Sequence, residues 1–249
     1  MNICVCIKRV PDTEAQILLA ADGRSVDTAG INYIINPYDE YAIEAALKLQ
    51  EAHGGSVTLL TVGEADADKT LRKALAMGGD QAVLLTVDKD LSDPRQAALA
   101  LAEWLKGQSM DLILCGKQGV DHDHGSTGPM LAELLGLPCV AGISALALEG
   151  STLTVEREIE GGKEKYSTTT PAVLSCDKGL NEPRYASLKG IMMAKKKPLE
   201  TLAAQTGESL LNTEGLGYPA ARPAGRIIGK GPEAVGELLG LLKNEAKIL

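Results

Sequence analysis

The sequence predicts an α/β fold, a mostly parallel sheet with covering helices, with added antiparallel hairpins and a C-terminal arm. Three observations carry this. Short apolar and β-branched runs alternate with amphipathic stretches across the first two thirds of the chain. Asx-Pro and Gly-Gly pairs punctuate the joints, at Asn36-Pro37, Gly54-Gly55, Gly78-Gly79 and Asp93-Pro94. Beyond residue 205 the alternation gives way to a segment rich in Gly, Pro and small residues.

Asn2 to Val10 reads as the first strand, since its apolar run is short and is followed, not preceded, by Lys8 and Arg9. That order fits a buried strand and not a signal peptide. Asn36 is placed as N-cap of a helix from Tyr38 to about His53, with Pro37 at the first helical position and Asp39 and Glu40 in a dipole-favoured first turn. Ala42, Ala45, Ala46 and Leu49 give its apolar face. A strand over Ser56–Val62, a helix over Ala67–Met77 and a strand over Gln81–Val87 follow. Asp93-Pro94 starts a helix to Lys106, and Asp111 to Cys115 is a fourth strand feeding the loop 116–126. Thr127 to Leu135 is a helix stopped by Gly136 and Pro138. From about Val140 to Ser175, turns at Glu149-Gly150 and Gly161-Gly162 predict antiparallel hairpins on the sheet edge. Residues 1–205 thus form one α/β domain. Residues 206–249 form an arm, extended over 206–231, ending in a helix from about Glu233 to Lys247 whose Val235, Leu238, Leu239 and Leu242 need a surface to lie on.

Composition narrows the function classes. A hydrophobic content of 45% suffices for a core, and no window reaches the length of a membrane span. Net charge of −8 argues against nucleic acid as the main partner, because that binding rests on neutralising phosphates. The absence of Phe, with one Trp and six Tyr, leaves few rings on which the chain stacks a flavin of its own. Five cysteines at no zinc spacing fit reduced thiols in a cytosol or an organelle matrix.

Two stretches carry candidate chemistry. Gly116 to Met130 follows a buried strand and enters a helix, and Gly125, Ser126, Thr127 and Gly128 offer hydroxyls and backbone N–H groups at the helix start. That is a seat for phosphate. This loop, the Val10-Pro11 exit, the Val62-Gly63 exit and the Asn36 cap all fall at carboxyl ends of strands, where open α/β sheets bind ligands. No Walker or G-x-G-x-x-G spacing is present, so a bare Gly-rich turn stays open beside the nucleotide site. Asp121 and Asp123 suit ribose hydroxyls or an adenine amine better than phosphate. His122 and His124 alternate with them, but neighbours in a tight loop seldom converge on one metal ion. No nucleophile, base and orienting group stand in a recognisable order, so no enzymatic activity of its own is expected. The second stretch, Leu180 to Pro198, sets Leu188, Ile191 and Met192 beside cations. It reads equally as a partner anchor or as an amphipathic helix whose lysines complement its dipole.

Together these segments resemble the β subunit of electron transfer flavoprotein. The likeness runs collinearly through Val5 to Asp12, Asn36 to Glu40, Gly116-Lys117-Gln118 with the aspartate-rich loop, Glu156 to Gly162, and Leu180 to Tyr185 on to Lys197. It implies an adenine-nucleotide-binding, Rossmann-like domain in a heterodimer. The α subunit would hold the redox-active FAD, while this chain binds AMP structurally. Electrons would pass from acyl-CoA and related dehydrogenases, hence fatty acid oxidation, to a membrane quinone oxidoreductase. The resemblance assigns AMP to Cys6, Asn36, Pro37, Tyr38, Asp39, Val62, Asp121, His122, Asp123, His124, Gly125, Ser126, Thr127, Gly128, Pro129, Met130, Leu131 and Ala132. It assigns dehydrogenase recognition to Arg184, Tyr185, Ala186, Ser187, Leu188, Lys189, Gly190, Ile191, Met192 and Met193, with Leu188 as apolar anchor, and flavin-domain positioning to Glu158. Ser126 stands where many members have Gln, and Pro129 where some have a polar residue. Alternatives are an electron-bifurcating relative with a second FAD in this crevice, a nucleotide hydrolase or adenylyl-transfer protein, and a stand-alone nucleotide-binding module.

Overall fold

The computed structural model describes residues 1–222 and 224–249. Chain contacts divide it into two compact units, Met1–Leu18 with Val26–Glu214, and Leu19–Ser25 with Gly215–Leu249.

The larger unit is built on a nine-stranded sheet. Its strands in chain order are β1 (Asn2–Cys6), β6 (Ser56–Gly63), β7 (Gln81–Thr86), β8 (Leu112–Gly116), β9 (Cys139–Glu149), β10 (Thr152–Ile159), β11 (Gly162–Thr169), β12 (Ala172–Cys176) and β13 (Leu199–Ala203). Short strands β2 (Arg9–Pro11), β3 (Leu18–Leu19), β4 (Val26–Asp27) and β5 (Tyr33–Ile35) lie outside it. The order across the sheet is β11-β10-β9-β12-β8-β1-β6-β7-β13. All pairings from β9 to β13 are parallel, and β9-β10 and β10-β11 are antiparallel.

Helices α1 (Pro37–His53), α2 (Asp68–Met77), α3 (Pro94–Leu105), α4 (Thr127–Leu135) and α5 (Leu188–Ala194) cover the sheet. Because side chains alternate across a strand, β1 feeds both layers of core. Ile3 and Val5 join the α1 and α2 residues Ala42, Ile43, Leu71 and Leu75 on one face. Cys4 and Cys6 join Leu101, Leu105, Leu131 and Ala132 of α3 and α4 on the other. α5 packs on α2. The contact is close because a Cβ on Gly190 would strike the Ala76 carbonyl, so glycine is what lets the two helices meet.

The predicted helices over residues 38–135 all form, within one or two residues of the expected bounds. The sheet differs from expectation in three places. The first strand does not run to Val10: it leaves the sheet after Cys6, the Lys8 N–H is taken by the Asp39 carboxylate, and Arg9–Pro11 pairs antiparallel with Tyr33–Ile35. Residues 140–175 are not all antiparallel edge hairpins. β12 lies inside the sheet, parallel to both β8 and β9, as suits its fully buried run Ala172–Cys176. β13, an unexpected strand, extends the other edge beside β7.

In the smaller unit the Leu216 N–H donates to the Gly23 carbonyl at 2.8 Å and the Tyr218 hydroxyl accepts from the Leu19 N–H at 3.0 Å. Its helix α6 is shorter than expected, Val235–Asn244 behind a 3-10 turn at Pro232–Ala234, and leaves Val235, Leu238 and Leu239 exposed.

Candidate nucleotide crevice and docking segment

Strand order fixes where a ligand would sit. The chain steps from β1 through α1 to β6 and through α2 to β7 in one direction, then α3 carries it back across β1 to β8. The order therefore reverses between β1 and β8, and the crevice of such a sheet opens at the carboxyl ends of that strand pair. Cys6 and Cys115 are register partners at those ends, both buried, and Gly116 follows. Hydrogen bonding from Cys4 and burial push the Cys6 thiol well up, and burial does the same to Cys115, so the crevice floor is neutral thiol and not thiolate.

The first turn of α1 closes over this floor. Asp39, only 4% exposed, accepts from the Lys8 N–H at 2.6 Å, the Gly116 N–H at 2.9 Å and the Asn36 amide at 3.0 Å, and so ties the ends of β1 and β8 together. Burial pushes its carboxyl up to about 7, against three donors that favour the charged form. Asn36 occupies the N-cap position, but its side chain does not cap the helix. Its amide donates to the Gln118 carbonyl at 2.9 Å and its carbonyl accepts from the Val120 N–H at 3.1 Å. The cap is made by backbone alone, the Asn36 carbonyl accepting from Asp39 and Glu40 N–H groups. The loop thus outbids the helix for this side chain.

Further along the loop, the Lys8 ammonium pairs with the Asp121 carboxylate at 2.6 Å, and His122 Nδ1 lies 3.0 Å from the same carboxylate. Burial opposes ionisation of Asp121, yet His122 and Lys8 outweigh it and hold the carboxyl well below its ordinary range. His122 and His124 stack with ring centroids 5.4 Å apart, Asp123 takes a left-handed φ of 54°, and Gln118 donates to the Asp123 carboxylate at 2.7 Å. Among the described residues no group of three His, Cys, Asp or Glu side chains is placed to hold a metal.

At the entry to α4 the donors remain free. Among the described residues, the N–H groups of Gly125, Ser126, Thr127 and Gly128 have no hydrogen-bond partner, and Ser126 does not cap the helix with its side chain. Pro129 is the third helical residue, where a missing N–H removes no helical bond. Gly128 must be small, since a Cβ there would lie 2.8 Å from Cys115 Sγ. Leu131 and Ala132 face the core and hold the helix down, while Pro129 and Met130 are exposed. Val62, at the end of β6, packs on the same buried cluster as Cys6. Sequence-assigned Cys6, Asn36–Asp39, Asp121 and the α4 entry therefore converge. Lys8, Gly116, Gln118 and Val120 are further parts of the crevice, and they fall within the Val5–Asp12 and Gly116–Met130 runs that the sequence singles out, with no feature of their own to mark them.

The second candidate surface is anchored on α1 as well. Arg184 donates to both Glu44 oxygens at 2.7 and 3.0 Å and to Glu51 at 2.6 Å, and the Asn181 amide donates to the Tyr41 carbonyl at 2.9 Å. The neighbouring carboxylates hold the Arg184 guanidinium above even its ordinary range. Arg184 is thus consumed as a fastener. What it presents is Tyr185, 97% exposed, then Leu188, 83% exposed, Ile191, Met192 and Met193. Ser187 Oγ accepts from the Gly190 N–H at 3.0 Å and caps α5. Ala186 packs inward and Lys189 is exposed. The lysine expected to complement its own helix goes elsewhere: Lys197 donates to the Leu75, Gly78 and Gly79 carbonyls at 3.1, 3.0 and 2.6 Å, closing α2. Arg72 of α2 reciprocates by capping the Ala194 and Lys197 carbonyls, both at 2.7 Å. Glu158 does not join this segment. It sits on β10 near one end of the sheet, beside Lys163 at 3.4 Å, whereas α5 lies over α2 toward the other end.

Comparison with known proteins shows the family. Residues 24–206 match the family model described as "Electron transfer flavoprotein domain". The chain is 44% identical to an electron transfer flavoprotein subunit beta of Bacillus subtilis, with all of both chains covered. It is 38% identical to a mitochondrial one from Oryza sativa subsp. indica over the whole of both chains. A human subunit beta is 39% identical over 81% of each chain.

Proposed function

The chain belongs to the electron transfer flavoprotein family as a β subunit, and from that premise we propose that it binds AMP as a structural ligand and docks dehydrogenases for a flavin held by an α subunit. The observation that carries the first half is the row of unpartnered N–H groups from Gly125 to Gly128 at the entry to α4. Such donors, reinforced by the helix dipole, fit a phosphate dianion. Ser126 and Thr127 add hydroxyls, and Gly128 lets the helix start lie close over β8. Asp121 is neutralised by Lys8, which removes its repulsion of a phosphate. Bound AMP supplies no redox chemistry. It stabilises the fold by mass action, by about 2.7 kcal/mol when present at a hundredfold its dissociation constant.

The docking half rests on exposure. Tyr185, Leu188, Ile191 and Met192 leave apolar area in water beside Lys189, Lys195 and Lys196, on a segment held to α1 by Arg184. A small apolar anchor ringed by cations suits a contact that forms and releases quickly. The dehydrogenase engages this segment while the α subunit's FAD takes up electrons and carries them on to a membrane quinone oxidoreductase. Glu158, remote from α5, serves the positioning of the flavin-bearing domain. Residues 206–249 pack on the α subunit.

The test is identification of the ligand released from the native complex by denaturation. AMP in a one-to-one ratio with this chain, with FAD matching the α subunit alone, supports the assignment. A second FAD indicates the electron-bifurcating type, and turnover of added ATP indicates a hydrolase. Either result overturns it.

A further inference from the structure

We propose that Asn36 and Asp39 are positioning residues, whose side chains set the backbone facing the nucleotide and do not themselves touch it. The inference rests on the nucleotide assignment above and departs from a direct-contact role for these two side chains. Every polar atom of the pair is already used. Asp39 spends its carboxylate on Lys8 N–H, Gly116 N–H and the Asn36 amide, and Asn36 spends its amide on Asp39, the Gln118 carbonyl and the Val120 N–H. Both residues are buried, Asp39 at 4% and Asn36 at 1% exposure, which leaves their side chains almost no surface for a ligand to touch.

The four backbone groups on which these bonds end lie on three separate segments. Lys8 N–H is at the exit of β1, Gly116 N–H is the last of β8, and Gln118 and Val120 open the loop that leads to Asp121 and α4. One helical turn therefore fixes the gap between the strand ends at the switch point and the path of the phosphate-bearing loop together. Space is tight enough for this to be specific: a Cβ on Gly116 would lie 2.7 Å from Tyr38 Cβ and would collide with Asp39, so β8 and α1 meet at glycine contact. The charged groups facing the pair are Lys8 and, through it, Asp121.

The experiment compares Asn36→Ala, Asn36→Asp and Asp39→Asn with the wild-type full chain, with Lys197→Ala as a control that weakens the fold away from the crevice. Asn36→Asp keeps an acceptor for Val120 and loses both donors. Asp39→Asn keeps the size and one acceptor. Two quantities are read: the Kd for AMP, and amide hydrogen exchange at Lys8, Gly116 and Val120 without ligand. A positioning role raises Kd by roughly tenfold to a hundredfold, the equivalent of one or two hydrogen bonds, and speeds exchange at those three amides selectively. Lys197→Ala lowers stability and leaves Kd alone. Unchanged Kd in all three crevice variants, with wild type binding AMP, overturns the inference. A wild-type chain that takes no AMP sinks the nucleotide assignment instead. The ligand-free exchange then decides: acceleration confined to Lys8, Gly116 and Val120 upholds the positioning role, and uniform acceleration overturns it.

Discussion

Replacing Arg184 with alanine removes the only guanidinium that reaches Glu44 among the described residues. The Glu44 side chain is 4% exposed, and its other cationic neighbour, Lys48, stands 4.0 Å away. A carboxylate left buried without its partner costs about 3–5 kcal/mol. The Arg184 side chain is 35% exposed, so water reaches the vacated space and the lower figure, about 3 kcal/mol, applies. The Glu51 contact, at a side chain 59% exposed, adds little. In urea unfolding at neutral pH, Arg184→Ala should lower stability by about 3 kcal/mol. Glu44→Gln in the same background should restore part of it by removing the stranded charge. A loss under about 1 kcal/mol, or no recovery in the double variant, would refute the view that this pair fastens the docking segment to α1. The same variant should slow electron acceptance from a dehydrogenase, because Tyr185 and Leu188 are then displayed on a loose segment.

Three further outcomes follow from the same geometry. Leu188→Ala should leave the unfolding midpoint within about 0.5 kcal/mol of wild type, since the side chain is exposed, and should slow electron transfer from a docked dehydrogenase in stopped-flow; unchanged transfer kinetics would reject the anchor. Lys197→Ala leaves the Leu75 carbonyl of α2 and the Gly78 and Gly79 carbonyls just beyond it without their shared donor, so thermal unfolding should show a loss of about 1–3 kcal/mol. For pH, Asp39 binds its proton more tightly folded than unfolded, so its contribution to stability falls as pH rises from about 4 to about 7, by on the order of 4 kcal/mol in full. Asp121 acts in the opposite sense and below that window, its stabilisation being lost as pH falls beneath the ordinary aspartate range. Asp39→Asn should therefore flatten the urea midpoint between pH 4 and pH 7, and an unaltered slope there would exclude Asp39 as its source.

The elements written in local pattern were legible: α1 to α4 follow from caps, Pro at the first turn and apolar periodicity. What escaped was set by distant partners. β13 has four exposed residues of five and is a strand only because β7 offers it an edge. β12 follows the antiparallel strands β9, β10 and β11 in sequence, and its largely apolar run marks it as buried without saying that it inserts beside β8. Asn36 has the residue type and place of a cap, but Gln118 and Val120, over eighty positions on, claim its side chain. Lys197 likewise lies past the end of α5 and serves α2. The free donors of Gly125–Gly128 were readable because a helix start leaves them without needing any remote partner.

One helix underlies both candidate surfaces. α1 has 17 residues, with Asp39 in its first turn closing the crevice and Glu44 and Glu51 further along holding Arg184. Asp39 and Glu44 are five residues apart, about 7.5 Å of helix rise. Of the four residues between them, Ala42 and Ile43 are wholly buried in the core shared with β1, which resists bending of the helix there. A ligand that holds the first turn in place therefore holds the rod to which the docking segment is tied. Under the proposed function, a nucleotide with no redox role would thereby brace the docking segment, a physical reason for an electron carrier to retain it.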